Sequence, residues 1–272
     1  MNYAIRPNHP VFDRPAYQRD IHLLEVLDTV IRPTAFLLLS DGENFVIGRN
    51  RLDLAAWVWT KDGIDADTLD TVCRLLHIHF AGRVIHFTAK EDAARAMAEH
   101  FEQQGYRQQS GMGLIAYTLR EVRMPEDKGP IRPARMDELD TLARMYEDFQ
   151  IACFGELQNT ACRAHMQSAI EAGSLRVLAP DGRIQCIVNA APKTPGGHTR
   201  IAMVYTVPDA QGQGYAKWLT AQVCRDELTR CPWALLYADA DNPRSNAAYR
   251  RIGFEKMGVI REIKMVKDGM SE

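Results

Sequence analysis

Short apolar runs alternate with amphipathic stretches along the first half of the chain. Runs with the period of a β-strand predict the strands 35–40, 45–48, 55–60, 83–88 and 112–121. Helical periodicity predicts helices near 20–31, over 65–80 and in an alanine-rich segment that ends near Gly105. The first half is therefore expected to mix strands and helices.

The second half shows the same alternation with clearer boundaries. The pattern first predicts helices at 137–153 and 159–172, then strands at 175–179 and 184–190 and a turn at Pro195-Gly196-Gly197. A strand at 200–207, a glycine turn at 211–214 and a helix to 230 follow. The last predicted elements are a strand at 234–239, a helix at 243–251 and a strand after Gly253. This order predicts an α+β fold, layered like α/β proteins, around one mixed sheet.

The two halves are joined by the segment V-R-M-P-E-D-K-G-P-I-R-P, from Val122 to Pro133. It contains three prolines, a glycine and a cluster of charges, which is typical of a linker. We therefore expect two domains, residues 1–125 and residues 126–272.

Composition and charge exclude several classes of function. A formal net charge of −2 and a pI of about 6.5, with scattered basic residues, argue against nucleic acid as a partner. The N-terminal residues do not form an apolar signal segment, and the longest aliphatic run, Phe36–Leu39, is too short to cross a bilayer. A cytoplasmic protein that does not bind membranes is expected.

The cysteines and histidines do not predict a metal site or a disulfide framework. The six cysteines are widely spaced and form no C-x-x-C pair, so we expect reduced thiols. His77 and His79 form an H-x-H, but the pattern offers no third ligand.

The most informative segment runs from Val204 to Lys217 and reads V-Y-T-V-P-D-A-Q-G-Q-G-Y-A-K. Gly212 and Gly214 let successive amide groups converge on an anion at the start of a helix, which suits a pyrophosphate. A P-loop would need Lys and then Ser or Thr after Gly214, where Tyr215 follows. A dinucleotide fold would need glycine in place of Lys217, although Asp239 lies roughly where its acidic residue belongs.

The order of residues in Q-G-Q-G-Y-A resembles the (Arg or Gln)-x-x-Gly-x-(Gly or Ala) turn of the GNAT superfamily of acyl-CoA-dependent N-acyltransferases. Downstream, A-D-A-D-N-P-R-S-N-A-A-Y-R-R-I-G-F, from Ala238 to Phe254, resembles the strand-Asn-helix-Tyr-Gly-aromatic segment of that superfamily. The resemblance implies the GNAT fold, a mixed and mostly antiparallel central sheet flanked by helices. Gln211 stands where the superfamily more often has Arg, which removes a charge but keeps a donor.

The second segment also has a clear local interpretation. Asn242 followed by Pro243 is a helix start, with Asn as the N-cap and Pro in the first turn. Ser245 and Tyr249 lie four residues apart and share a helix face. Gly253 is expected to end this helix.

The resemblance implies a site at the ends of two strands that splay apart, an opening that Pro208 would support by ending strand pairing. Unpaired backbone groups would hold the pantetheine arm, and the glycine turn would hold the pyrophosphate. The cofactor-binding residues implied are Val204, Tyr205, Thr206, Gln211, Gly212, Gln213, Gly214, Tyr215, Ala216, Asn242 and Ser245. Tyr249 would be the general acid that protonates the coenzyme A sulfur. Glu156 is our candidate for the base, with His198 or an ordered water as alternatives.

The function implied is an N-acetyltransferase that moves an acetyl group from acetyl-CoA, without a metal, to a primary amine of a small molecule or peptide. The amine would attack directly in a ternary complex. The alternatives are a catalytically silent acyl-CoA sensor and an interaction module. Variable segments, here 145–166 and 192–200, would select the acceptor, and the sequence does not indicate an oligomeric state.

The first half can be aligned with the second by matching Gly105-Tyr106 to Gly253-Phe254. Phe101 then stands at Tyr249, and Ala94 at Asn242; a second match, of Thr60 to Thr206, places Asp65 at Gln211. A phenylalanine has no proton to donate, and a carboxylate repels an anion. We therefore expect the first domain to be a degenerate, non-catalytic GNAT-like copy; the alternative is an unrelated α/β domain.

Overall fold

The structure, a computed structural model, describes residues 3–82, 84–191 and 197–267. Its strands are β1 (Leu37–Ser40), β2 (Phe45–Arg49), β3 (Ala56–Thr60), β4 (Val84–Lys90), β5 (Tyr106–Leu119), β6 (Ile131–Pro133), β7 (Leu175–Leu178), β8 (Cys186–Ala191), β9 (Thr199–Thr206), β10 (Ala234–Asp239) and β11 (Glu255–Lys267). Its α-helices are α1 (Pro15–Asp20), α2 (Arg32–Thr34), α3 (Ala66–His79), α4 (Glu91–Gln103), α5 (Leu139–Phe154), α6 (Cys162–Glu171), α7 (Tyr215–Leu228) and α8 (Pro243–Ile252).

The chain divides into two compact units at positions that differ from the predicted boundary between 125 and 126. One unit runs to Ala116 and takes in the C-terminal segment from Met257, and the other spans Tyr117–Lys256. The last strand explains the difference, because β11 pairs antiparallel with β4, from Ile260 opposite Lys90 to Val266 opposite Val84.

In the first unit the strands follow the order β1-β2-β3-β4-β11-β5. β3 and β4 run parallel and are connected by α3. The apolar faces of α3 and α4 pack on these strands, and Leu76, Phe87, Met97 and Phe101 are almost completely buried. Helix α3 begins at Asp65, whose side chain accepts a hydrogen bond from the Thr68 amide at 2.8 Å.

In the second unit the order is β10-β9-β8-β7-β6, with antiparallel pairing except between β9 and β10. Helices α5 and α6 cover one face, where Leu142, Met166, Val177 and Ile187 are fully buried. Helix α7 packs on β8. The expected α+β fold, with a mostly antiparallel sheet flanked by helices, is confirmed.

Some predicted elements differ in detail. The helix predicted over 20–31 is broken by turns at residues 21–24, and a π-helix covers Leu27–Ile31. Helix α1 ends at Asp20, whose carboxylate accepts hydrogen bonds from the Trp59 indole at 2.9 Å and the Lys90 ammonium at 2.7 Å. In the predicted turn at Pro195-Gly196-Gly197, the first two residues lie outside the described part of the chain.

Across the residues that the structure describes, no helix combines the length and the apolar character that crossing a bilayer would require.

Candidate active site

Strand β9 has two neighbours for only part of its length. Its parallel pairing with β10 joins Thr199, Arg200 and Ile201 to residues 234–236 and goes no further in the described register. Pairing with β8 continues to Thr206. The backbone of residues 202–206 is therefore unpaired on the side toward β10, and it includes the predicted residues Val204, Tyr205 and Thr206.

A β-bulge lies at the point where the two strands part. Asn189 of β8 faces Met203, but the next residue, Ala190, faces Ile201, so Ala202 is an extra residue in β9. A bulge bends its strand and increases the local twist. Pairing with β10 thus stops before Ala202, several residues ahead of Pro208, which the sequence analysis expects to support the opening.

The turn after β9 leaves the start of α7 open. Gly212 and Gly214 have φ values of +80° and +86°, a conformation that suits glycine. Among the residues that the structure describes, none beyond the two chain neighbours of Gly212 has a heavy atom within 4 Å of the place that a Cβ there would occupy. Gly214 is the N-cap of α7 and supplies no side-chain cap, so the first amide groups of the helix, including those of Tyr215 and Ala216, can bind an anion.

Gln211 connects this turn to the end of β9. Its side-chain amide donates to the Thr206 carbonyl oxygen at 3.4 Å. Gln213, two residues further on, is exposed. The residues predicted to hold the pantetheine arm and the pyrophosphate therefore form one continuous stretch around the end of β9.

Helix α8 is fixed to the end of β10 by two asparagines. Asn242 caps the helix as predicted, and its Oδ1 accepts from the Ser245 amide at 3.1 Å. The buried Asn246 donates through Nδ2 to the carbonyl oxygens of Asp239 and Asn242, both at 2.8 Å. Asn246 is not among the residues predicted for the site, although a second asparagine four residues after an N-cap could have indicated its contact with β10.

Tyr249 lies on α8 with its ring among other aromatic rings. Its centroid is 5.9 Å from that of Phe254 and 6.3 Å from that of Tyr117. The side chain is partly exposed, and within the described residues its hydroxyl makes no hydrogen bond. The phenol is thus largely enclosed, and its hydrogen-bonding capacity is unused among the described residues.

The surroundings of the Tyr249 hydroxyl favour its protonated form. Burial raises the pKa of Tyr249 well above its usual value, with smaller contributions from the thiols of Cys186, Cys153 and Cys224. Burial also raises the pKa of Cys186 to about 12 and that of Cys153 to about 11, the latter with help from the Asp239 carboxylate. A charged group that forms near these side chains is poorly solvated.

Comparisons with known proteins agree with this geometry. The family model described as FR47-like protein matches residues 190–262, which contain β9, the glycine turn and α8. A GCN5-related N-acetyltransferase from Sphaerobacter thermophilus has a TM-score of 0.62 at 18% identity, with 100% of this chain and 97% of that chain covered. This chain has the GNAT fold.

Two further solved structures share the GNAT fold over most of their length. A GCN5-related N-acetyltransferase from Kribbella flavida has a TM-score of 0.58 at 17% identity, covering 94% of this chain and 96% of that chain. A GNAT-family acetyltransferase from Colwellia psychrerythraea has a TM-score of 0.55 at 11% identity, covering 82% and 81%. No curated protein matches the sequence significantly.

The two candidates for the general base occupy different parts of this GNAT fold. Glu156 is exposed in the connection between α5 and α6 and accepts from the Gln158 amide at 3.3 Å. His198 is buried just before β9, where its ring stacks on Trp233 with centroids 3.9 Å apart. Six residues of extended strand, about 20 Å, separate His198 from Val204. The structure therefore does not bring His198 to the open end of β9.

In the described parts of this GNAT fold, no group of three or more His, Cys, Asp or Glu side chains could hold a metal ion.

Proposed function

We propose that this protein is an N-acetyltransferase that moves an acetyl group from acetyl-CoA to a primary amine of a small molecule or peptide. The observation that carries the proposal is the loss of β9–β10 pairing after Ile201, beside a helix start without a side-chain cap. Free main-chain groups along β9 can pair with the amides of an extended pantetheine arm, as a sheet edge pairs with a peptide. The GNAT fold supports the same class of reaction.

The residues at the site suit the two parts of coenzyme A. Val204, Tyr205 and Thr206 would bind the arm through the backbone, while residues 211–216 would bind the pyrophosphate through amide groups. The uncapped N-terminus of α7 favours a negative charge through its dipole and its free donors. Asn242 and Ser245 would border the site from the first turn of α8.

The chain's part in the reaction is to position the amine, stabilise charge and supply a proton. The amine nitrogen bonds to the thioester carbon in a ternary complex, and the carbon–sulfur bond then breaks. A backbone amide of β9 would stabilise the negative charge that develops on the carbonyl oxygen. Tyr249 would donate its phenolic proton to the departing sulfur.

The thiols near Tyr249 indicate why a phenol of raised pKa is a suitable acid here. A thiol in water has a pKa of about 8.5, which would make the transfer unfavourable. Burial raises the pKa of Cys186 to about 12, so a thiolate in the same surroundings is more basic than in water. A thiolate that leaves beside Tyr249 would therefore be closer in basicity to the phenolate, and the proton can move to sulfur.

Glu156 is our proposal for the group that accepts the proton of the attacking amine. It is exposed in the α5–α6 connection, within the segment 145–166 that is expected to contact the acceptor. An exposed carboxylate can act directly or through a water molecule.

The test is the release of free thiol from acetyl-CoA in the presence of a panel of amines. We expect thiol release with at least one amine, and Tyr249→Phe to lower kcat by 10²-fold or more while the Kd for acetyl-CoA stays within about threefold. The matched control is Tyr117→Phe, which removes a hydroxyl from the neighbouring ring and should leave kcat nearly unchanged. Full turnover in Tyr249→Phe would contradict the assignment, and acetyl-CoA binding without thiol release from any amine would favour a silent sensor.

A further inference from the structure

The segment Glu126–Gly129, which follows β5, is fixed against the start of α7. The Trp218 indole N–H donates to the Gly129 carbonyl oxygen at 3.0 Å. Gly129 has φ +113°, and a Cβ there would lie 3.3 Å from Pro180. The Asp127 carboxylate accepts from the Gly129 amide at 2.7 Å. These contacts hold the backbone on both sides of Lys128.

Lys128 extends from this segment to the glycine turn. Its Cε lies 3.5 Å from the place that a Cβ on Gly214 would occupy. Its ammonium group forms an ion pair with Glu126 at 2.6 Å, and the Lys128 side chain is 30% exposed. A positive charge is thus held at the uncapped N-terminus of α7.

Glu126 is the anion now beside this charge. Lys128, mainly through its hydrogen bond, holds the pKa of Glu126 below its usual value, and the charge of Lys217 in the first turn of α7 contributes. The Glu126 side chain is 81% exposed. Ion pairs this exposed contribute little to stability, so a more highly charged anion can displace the carboxylate.

The position of Lys128 also bears on Gln211, which stands where the GNAT turn more often has Arg. Gln211 provides a donor but no charge at this place. Lys128 brings a charge to the same turn from a segment 83 residues earlier in the chain.

We propose that Lys128, assisted by Lys217, binds the pyrophosphate of coenzyme A. In the absence of the cofactor, Glu126 forms an ion pair with the ammonium group of Lys128, and the pyrophosphate displaces this carboxylate. This inference rests on the proposed function, because it assigns residues to the same cofactor site. The pyrophosphate is stabilised by charge-assisted hydrogen bonds and by the free amides of α7, and Glu126 becomes a competitor of the ligand.

The experiment measures the Kd of the full chain for coenzyme A and for S-acetylpantetheine, which lacks the pyrophosphate. We expect Lys128→Gln to weaken coenzyme A about tenfold, as one charge-assisted contact would, and to leave S-acetylpantetheine unchanged. The matched control is Lys256→Gln, which removes an exposed lysine at the start of β11 and should change neither Kd.

Glu126→Gln should change the affinity for coenzyme A in the opposite direction. Removing the competing carboxylate should tighten coenzyme A about two- to fivefold, again without an effect on S-acetylpantetheine. A purely structural role for this segment would weaken both ligands in both variants, and that result would overturn the inference. Unchanged coenzyme A affinity in Lys128→Gln would overturn the inference alone, whereas no binding of coenzyme A by the unaltered chain would overturn the proposed function as well.

Discussion

At the scale of single residues, the position of Tyr249 follows from the two asparagines that start α8. Asn242 caps the helix, and Asn246 ties its first turn to the end of β10. Tyr249 comes one turn after Asn246 and keeps a free hydroxyl within the described residues. Because the caps set the helix register, the phenol is held in a defined place near Cys186, the residue that faces Thr206 of β9.

The raised pKa of Tyr249 gives a prediction for the pH profile. A phenol above its usual pKa of about 10 keeps its proton through mildly alkaline pH, so the general acid is not lost there. We expect kcat to show no decline between about pH 7 and pH 10. The measurement is initial thiol release across this range, corrected for spontaneous thioester hydrolysis. An alkaline decline centred near pH 9 that is absent in Tyr249→Phe would contradict the assignment.

Glu156→Gln tests the proposed base. An exposed carboxylate that accepts the amine proton should, when neutralised, lower kcat/KM by about 10- to 100-fold, with the acetyl-CoA Kd unchanged. The comparison variant is Asp239→Asn, whose side chain can still accept from the Asp241 amide. A larger loss in Asp239→Asn than in Glu156→Gln would assign the base to β10 instead.

The sequence predicts the position of Tyr249 on α8 because a cap, a helix face and a glycine stop are local features. It could not predict the thiols of Cys153, Cys186 and Cys224 near the phenol, because these residues come from α5, β8 and α7 and meet only in the folded chain. Lys128 was missed for the same reason: it lies in a segment that the sequence identifies only as a linker.

At the scale of elements, the opening between β9 and β10 begins at Ala202, where β9 has a bulge in its pairing with β8. The sequence predicts both strands and the turn after β9, with bounds close to those found. It does not predict the point where pairing stops, because register depends on partner strands and Ala202 carries no bulge signal. Pro208 explains the end of β9 but not its separation from β10.

The close packing of Gly253 at the end of α8 gives a prediction for stability. It has φ +113°, and a Cβ there would lie 2.8 Å from the Glu121 carbonyl oxygen. Gly253→Ala should therefore lower the free energy of unfolding by about 2 kcal/mol or more, through strain and overlap together. Urea unfolding measures this effect, and Gly173→Ala, at another left-handed position but with no atom within 4 Å, is the control for strain alone. Equal losses in the two variants would contradict the role given to the close contact.

At the scale of the whole molecule, the two units share an order of elements. In the first unit β3, α3, β4, α4 and β5 succeed one another, and in the second β9, α7, β10 and α8 do so, followed by β11, whose residues from Met257 belong to the first unit. Each unit contains a pair of parallel strands that is in register over three residue pairs. We therefore retain the proposal that the first unit is a degenerate copy.

The first unit lacks the features that suit a cofactor in the second. After Val58, the last residue of β3 paired with β4, Trp59 is fully buried, and its indole binds Asp20. Asp20 also binds Lys90 at the end of β4, so the two strand ends are bridged by the chain itself. Helix α3 is capped by the Asp65 carboxylate, which satisfies a donor that an anion would need.

The measurement that tests the account most directly is a calorimetric titration of the full chain with acetyl-CoA. The open end of β9, the uncapped α7 and the closed strand ends of the first unit together predict saturable binding of one acetyl-CoA per chain. No saturable heat would contradict the cofactor site, and two molecules per chain would contradict the degenerate first unit.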